Sequence, residues 1–165
     1  MDARALELLE LDAVRERLAG RTSFDAGRAR ALGLTPATDP HEVASRAART
    51  EEAVLLVSRL APVPAGAYDL GDDLTLAARG GTLDEARLGR VLATVETARE
   101  VRAKTLAHGD LAPGLCAALA GLDDGALAGL AGHLDRALDR RGGLADGASP
   151  ELGRLRRRLA AARAA

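Results

Sequence analysis

The residues of this sequence best suited to chemistry are its histidines, its single cysteine and two adjacent acidic pairs. His41, His108 and His133 could ligate a metal or carry a proton. They stand far apart, with neither the HxxxH nor the HExxH spacing that sets two imidazoles on one helical face. Each reads as a solvated or half-buried side chain. Cys116 lies between Leu115 and Leu119 in an expected helix and lacks a sequence neighbour that would activate a thiolate, so it reads as a small core residue. Asp72–Asp73 and Asp123–Asp124 suggest metal-ion chemistry. Adjacent residues on a helix point about 100° apart, however, and a second set of ligands would be needed. Both pairs precede apolar helical runs, where carboxylates cap N–H groups and complement the dipole. No GxxxxGK[ST] occurs, and "GRARALG" at 27–33 reads as a helix and its stop. The expectation is a chain without catalytic, cofactor-binding or metal-binding residues, and so not itself an enzyme.

The feature with functional colour is basic. Arg154, Arg156, Arg157, Arg158 and Arg163 lie in the last stretch, "SPELGRLRRRLAAARAA", against one acid, Glu151. Such a helix could meet nucleic-acid phosphates, each neutralised phosphate adding salt-dependent affinity. No aromatic residue interleaves with the arginines, so there is no stacking platform for single strands. On the same stretch Leu152, Leu155 and Leu159 are spaced three and four apart, an apolar seam. "GGLADG" before it reads as too flexible to hold the helix down, so a weak homodimer through this helix is expected. Protein partners could use the same seam, which makes a free-standing helical adaptor the alternative reading.

The elements that position these residues are helices. Ala and Leu dominate the apolar 47% of the chain, and the aromatics are Phe24 and Tyr68 alone. Such a core favours closely packed helices over strands, which enrich in aromatic and β-branched residues. Two short helices open the chain with Asp12 capping the second, and a third runs from about Phe24 to Leu32. "DPHE" starts the next, with Asp39 as cap, Pro40 at the first position and Glu42 completing a capping box. Its apolar stripe is Val43, Ala47, Thr50, Val54 and Val57. "APVPAGAY" follows as a loop. In "GGTLDE" Thr82 caps and Glu85 completes the box, and Leu88, Val91, Val95, Ala98 and Val101 then carry one face to about Leu106. Further helices are expected near Asp72–Arg79, Gly114–Ala120, Ala126–Arg140 and from Ser149. The fold class is all-α, an irregular bundle of about 7–8 helices with a protruding, lever-like C-terminal helix. A helical core domain over 1–142 precedes a glycine-rich link and the start of the lever over 143–165. The net charge of −1 argues against a uniformly basic surface, one cysteine leaves no disulfide framework, and neither a signal peptide nor a membrane span is expected. A cytoplasmic protein is expected.

In its order of segments the chain resembles the N-terminal part of the bacterial MutS type-two proteins, the MutS paralogues that lack the mismatch-reading domain. Four stretches carry the likeness: "LELDAVRERLAGRTSFDAGRARALGLTPATD", "RTEEAVLLV", "GGTLDEARLGRVLATVETAREVR" and "LADGASPELGRLRRRL". Leu8, Leu11, Val14 and Leu18 stand at the family's opening apolar positions, with Leu11 where a Phe is usual. Gly27, Leu34 and Pro36 fit its "G…L.P" pattern, and Asp146, Ala148, Ser149, Glu151, Leu152 and Arg156 its "D.AS.EL..IR". "AGAYDL" is thin where the family has a Gly-rich loop.

The resemblance implies a piece of a much longer protein, ending just inside the lever that runs to the DNA clamp. Full-length relatives are implied to be ATP-hydrolysing homodimers with a Smr nuclease domain. They are implied to bind branched DNA, suppress homologous recombination and, in some bacteria, act on stalled ribosomes. ATP and Mg would belong to the ATPase domain, not to this segment, whose share would be mechanical.

Overall fold

Residues that enter a helix at little cost make up much of this chain, and the fold follows. The computed structural model describes residues 3–60, 66–139 and 143–164. In chain order the elements are α1 (Ala3–Leu8), α2 (Leu11–Ala19), α3 (Asp25–Leu32), α4 (Pro40–Leu60) and α5 (Gly71–Ala78). They continue with α6 (Glu85–Leu106), α7 (Pro113–Leu119), α8 (Asp124–Ala137), the 3-10 turn η1 (Asp146–Ala148) and α9 (Pro150–Ala164). The fold is all-α: among the described residues the one β feature is an isolated antiparallel bridge between Leu138 and Leu144. Most of the "APVPAGAY" loop and the expected helix end at Arg140 lie outside the described residues.

Contacts divide the chain into two units. One is Met1–Asp69 with Thr97–Leu122, the other Leu70–Glu96 with Asp123–Ala165. Each is therefore assembled from segments distant in sequence, whereas the expected 1–142 and 143–165 division runs along the chain. α6 contributes its first part to the second unit and its last part to the first.

In the first unit α2 packs on α3 and α4 on α7. Ala19, Ala31 and Ala112 are buried, together with Leu56. The α1–α2 corner turns at Glu10, whose φ of 50° is left-handed. Asp12 does not cap α2 as expected; it lies in the first turn and pairs with Arg15 at 2.8 Å. Asp39 does start α4, accepting from His41 N–H at 3.3 Å, but Glu42 closes no box because its carboxylate takes Arg46.

The expected stripe of α4 is corrected outright. Val43, Ala47, Thr50, Val54 and Val57 are all exposed, and the covered side carries Glu52, Ala53 and Leu56. The reason is on α7. Its first residue is Pro113 and its N-cap Ala112 offers no side-chain acceptor, so its leading amides need one from elsewhere. Glu52 supplies it: Gly114 N–H donates to Oε1 at 3.0 Å and Leu115 N–H to Oε2 at 2.8 Å.

In the second unit the core is Val91, Val95, Ala131 and Leu134, flanked by Leu70, Leu83, Leu88, Leu92 and Leu127. Two positions of the stripe expected on α6 thus lie at its centre. The cap of α6 is Asp84 rather than Thr82. Its side chain accepts from Arg87 N–H at 2.8 Å and its carbonyl from Leu88 N–H at 2.9 Å. Gly80, with φ of 78°, makes the turn before it. Asp123 caps α8 as expected, accepting from Ala126 N–H at 3.1 Å.

Candidate functional site

The candidate surface is built where η1 meets α9. Ser149 has extended backbone, and its Oγ accepts from Leu152 N–H at 3.0 Å, satisfying one open amide of α9. Gly153 is buried against η1, where an added Cβ would stand 3.0 Å from the Asp146 carbonyl. Glycine is what lets the two backbones approach.

The described part of the link before α9, from Gly143 on, is bonded back to the end of α8. Asp139 N–H donates to the Gly143 carbonyl and Ala145 N–H to the Ala137 carbonyl, both at 2.8 Å. Gly143 N–H also donates to Asp139 Oδ1 at 3.0 Å. Arg156 closes the arrangement from α9, donating to the Leu144 carbonyl at 2.9 Å and pairing with Asp146.

These bonds sort the expected site residues. Arg156 ties α9 to the turn before it and is not a spare charge. Arg154, Arg157 and Arg158 share the other side of the helix at three- and four-residue spacing and are exposed, as is Arg163 further on. Arg154 and Arg157 line a shallow recess of about 390 Å³ with Asp146, Gly147, Ser149, Pro150 and Gly153. The leucine seam divides as well. Leu152 is half-buried near the start of α9, while Leu155 and Leu159 are 53% and 51% exposed.

The structure also contains an ionic hub that the sequence reading passed over. Asp73, taken there as a dipole-complementing acid of α5, is 2% exposed. Arg87 Nη1 donates to its Oδ1 and Arg90 Nη2 to its Oδ2, both at 3.1 Å. The signal in the sequence was two arginines one turn apart on a neighbouring helix, a pattern common on solvated faces. His133 presents Nδ1 to the Gly129 carbonyl at 2.7 Å and His108 to that of Lys104 at 3.0 Å. Cys116 Sγ lies 3.4 Å from the Thr105 carbonyl. Among the described residues no group of three or more His, Cys, Asp or Glu side chains converges as a metal site would require.

No family model matches the chain. It is 33% identical over 163 residues to the Endonuclease MutS2 of Thermomicrobium roseum and 36% identical over 160 residues to that of Symbiobacterium thermophilum, in each case across 96% of this chain. The Endonuclease MutS2 of Geobacillus thermodenitrificans is 32% identical over 166 residues, across 99% of it. The chain matches a segment of MutS2 proteins. It spans about one-fifth of the length of these curated relatives, 20% of the first two and 21% of the third. The likeness therefore takes in α1 to α9 almost whole. Among the described residues no single helix is long and apolar enough to cross a membrane.

Proposed function

We propose that this chain is a non-catalytic helical connector of the MutS2 type, whose helices carry mechanical coupling for catalytic parts that lie in other segments. The observation that carries this reading is the coverage: 96% of this chain aligns to only 20% of the Thermomicrobium roseum Endonuclease MutS2. Exposed apolar side chains support it. Leu8, Leu9, Val54, Leu74, Leu155 and Leu159 are at least half exposed, apolar surface open to neighbouring segments of the longer protein. The longer protein would be a cytoplasmic, DNA-binding ATPase and endonuclease that uses ATP and Mg in its ATPase domain. It would suppress homologous recombination and act on stalled ribosomes, with residues 143–165 as link and first part of the lever. The arginines 154, 157, 158 and 163 are its proposed nucleic-acid contacts here.

A chimera tests this. Replacing the matching stretch of the Thermomicrobium roseum protein with this chain should keep that enzyme's nuclease activity, while deleting the stretch should abolish it. A folded but inert chimera overturns the connector reading. So does stoichiometric ATP binding, or DNA cleavage, by this chain alone.

A second reading, a free-standing adaptor or weak homodimer, is favoured by one observation: Leu155 and Leu159 stand exposed one turn apart. Paired α9 helices, or a partner helix, would cover them.

A further inference from the structure

A basic recess in the first unit lies apart from α9 and plays no part in the reading above. It is open, about 470 Å³, and lined by Arg30 of α3, Gly33, Leu34 and Thr35 of the following turn, and Arg46, Arg49 and Thr50 of α4. Its guanidinium groups differ in what they hold. Arg46 is engaged, Nη1 donating to the Thr35 carbonyl at 2.7 Å and Nη2 to Glu42. This fixes α4 against the turn and shapes the recess. Arg30 and Arg49 have, among the described residues, no carboxylate or carbonyl within bonding distance, and both are exposed. Three positive charges thus face one recess, and Glu42 is the carboxylate bonded to any of them. In a chain of net charge −1 that is a local segregation of charge.

We propose that Arg30 and Arg49 form a phosphate-binding site that takes the backbone of double-stranded nucleic acid. Guanidinium is the side-chain group that matches phosphate with paired N–H donors, and the recess offers two unengaged ones. Its openness suits a phosphate presented on a rod better than an enclosed free ion. Neither Phe24 nor Tyr68 lines it, so it lacks the stacking surface that captures single strands or a nucleoside. Contacts of this kind position a duplex without reading its sequence. The site stands on this geometry alone and holds whether or not the arginines of α9 also touch DNA.

The test uses the whole chain and a short fluorescent DNA duplex, with anisotropy followed across a salt series. Arg30→Ala/Arg49→Ala should weaken binding about tenfold or more and flatten the log–log salt slope by about 2, one for each lost phosphate contact. Arg30→Lys/Arg49→Lys should keep most of the slope because it keeps the charges. Circular dichroism should be unchanged, since both side chains are exposed and unbonded. Arg154→Ala/Arg157→Ala/Arg158→Ala serves as the comparison, separating this site from α9. Equal affinity and slope for the parent and the Arg30/Arg49 double variant overturn the proposal, as does a parent that binds no duplex. Saturable binding of inorganic phosphate without duplex binding overturns the nucleic-acid source.

Discussion

α6 and α9 are built from the same materials and end in opposite circumstances. Both carry arginines on one side and an aliphatic stripe on another. On α6, Val91 and Val95 are 8% and 7% exposed, and Arg87 and Arg90 grip a carboxylate that has been taken out of water. On α9 every residue from Arg154 to Arg163 is exposed, and the one arginine with a carboxylate partner among the described residues, Arg156, meets an Asp146 that is itself exposed. Amphipathic pattern alone therefore does not assign a helix to the core. What differs is whether other segments supply a surface against which the stripe can be buried. For α6 they do, through α8 and the leucines around it. For α9 the turn at η1 covers only the first part.

The largest expected effect breaks the buried side of this contrast. Val95→Asp sets a carboxylate among Val91, Ala131 and Leu134, and should cost about 3 kcal/mol or more in urea unfolding. A loss below about 1 kcal/mol would show that α6 is not the centre of its unit, because surface substitutions stay within that range.

Asp73→Ala comes next. It leaves Arg87 and Arg90 without their shared partner, but their side chains are 38% and 43% exposed and can turn to water. The expected loss is about 2 kcal/mol, below that for a fully enclosed pair. Arg87→Ala and Arg90→Ala should each cost less than Asp73→Ala, since the carboxylate keeps one donor. A double-mutant cycle that finds no coupling between Asp73 and either arginine would remove the hub from the account.

The smallest effect on stability sharpens the other side. Leu155→Asp and Leu159→Asp should each change unfolding free energy by no more than about 0.5 kcal/mol, as expected of exposed positions. Their consequence should instead appear in sedimentation velocity over a concentration series, where the parent associates weakly and the variants do not. A parent that sediments as a monomer at every concentration would sink the pairing of α9.

Much of the helical layout was legible in the sequence because capping is local. Asp39–Pro40, Asp123 and Ser149–Pro150 announced α4, α8 and α9, and each carboxylate or hydroxyl is found on an amide two or three residues ahead. The misassigned caps failed for equally local reasons. Asp84 stands next to α6 and competes with Thr82 for the same role, and a carboxylate is the stronger acceptor. On α4 the periodicity suggested a stripe, yet apolar residues occur around most of that helix and cannot by themselves name the covered side. The candidate surface was legible in its residues and not in their pairing. Nothing near Arg156 in sequence distinguishes it from Arg154 or Arg157, while in the fold it alone reaches the Leu144 carbonyl.

The sequence by itself determined that this chain is helical, where most of its helices start, and which proteins it matches. Those properties depend on neighbours within about one turn of helix, or on residue identity read in order. Tertiary structure decided which face of α4 is covered, which acid is buried and which arginines stay unengaged. Glu52 meets Gly114 and Leu115 across 62 and 63 positions, and Asp73 meets Arg87 and Arg90 across 14 and 17. Bonds between partners so far apart exist only after the helices have packed, because packing alone brings a carboxylate within reach of its distant donors and removes the water that would otherwise satisfy it.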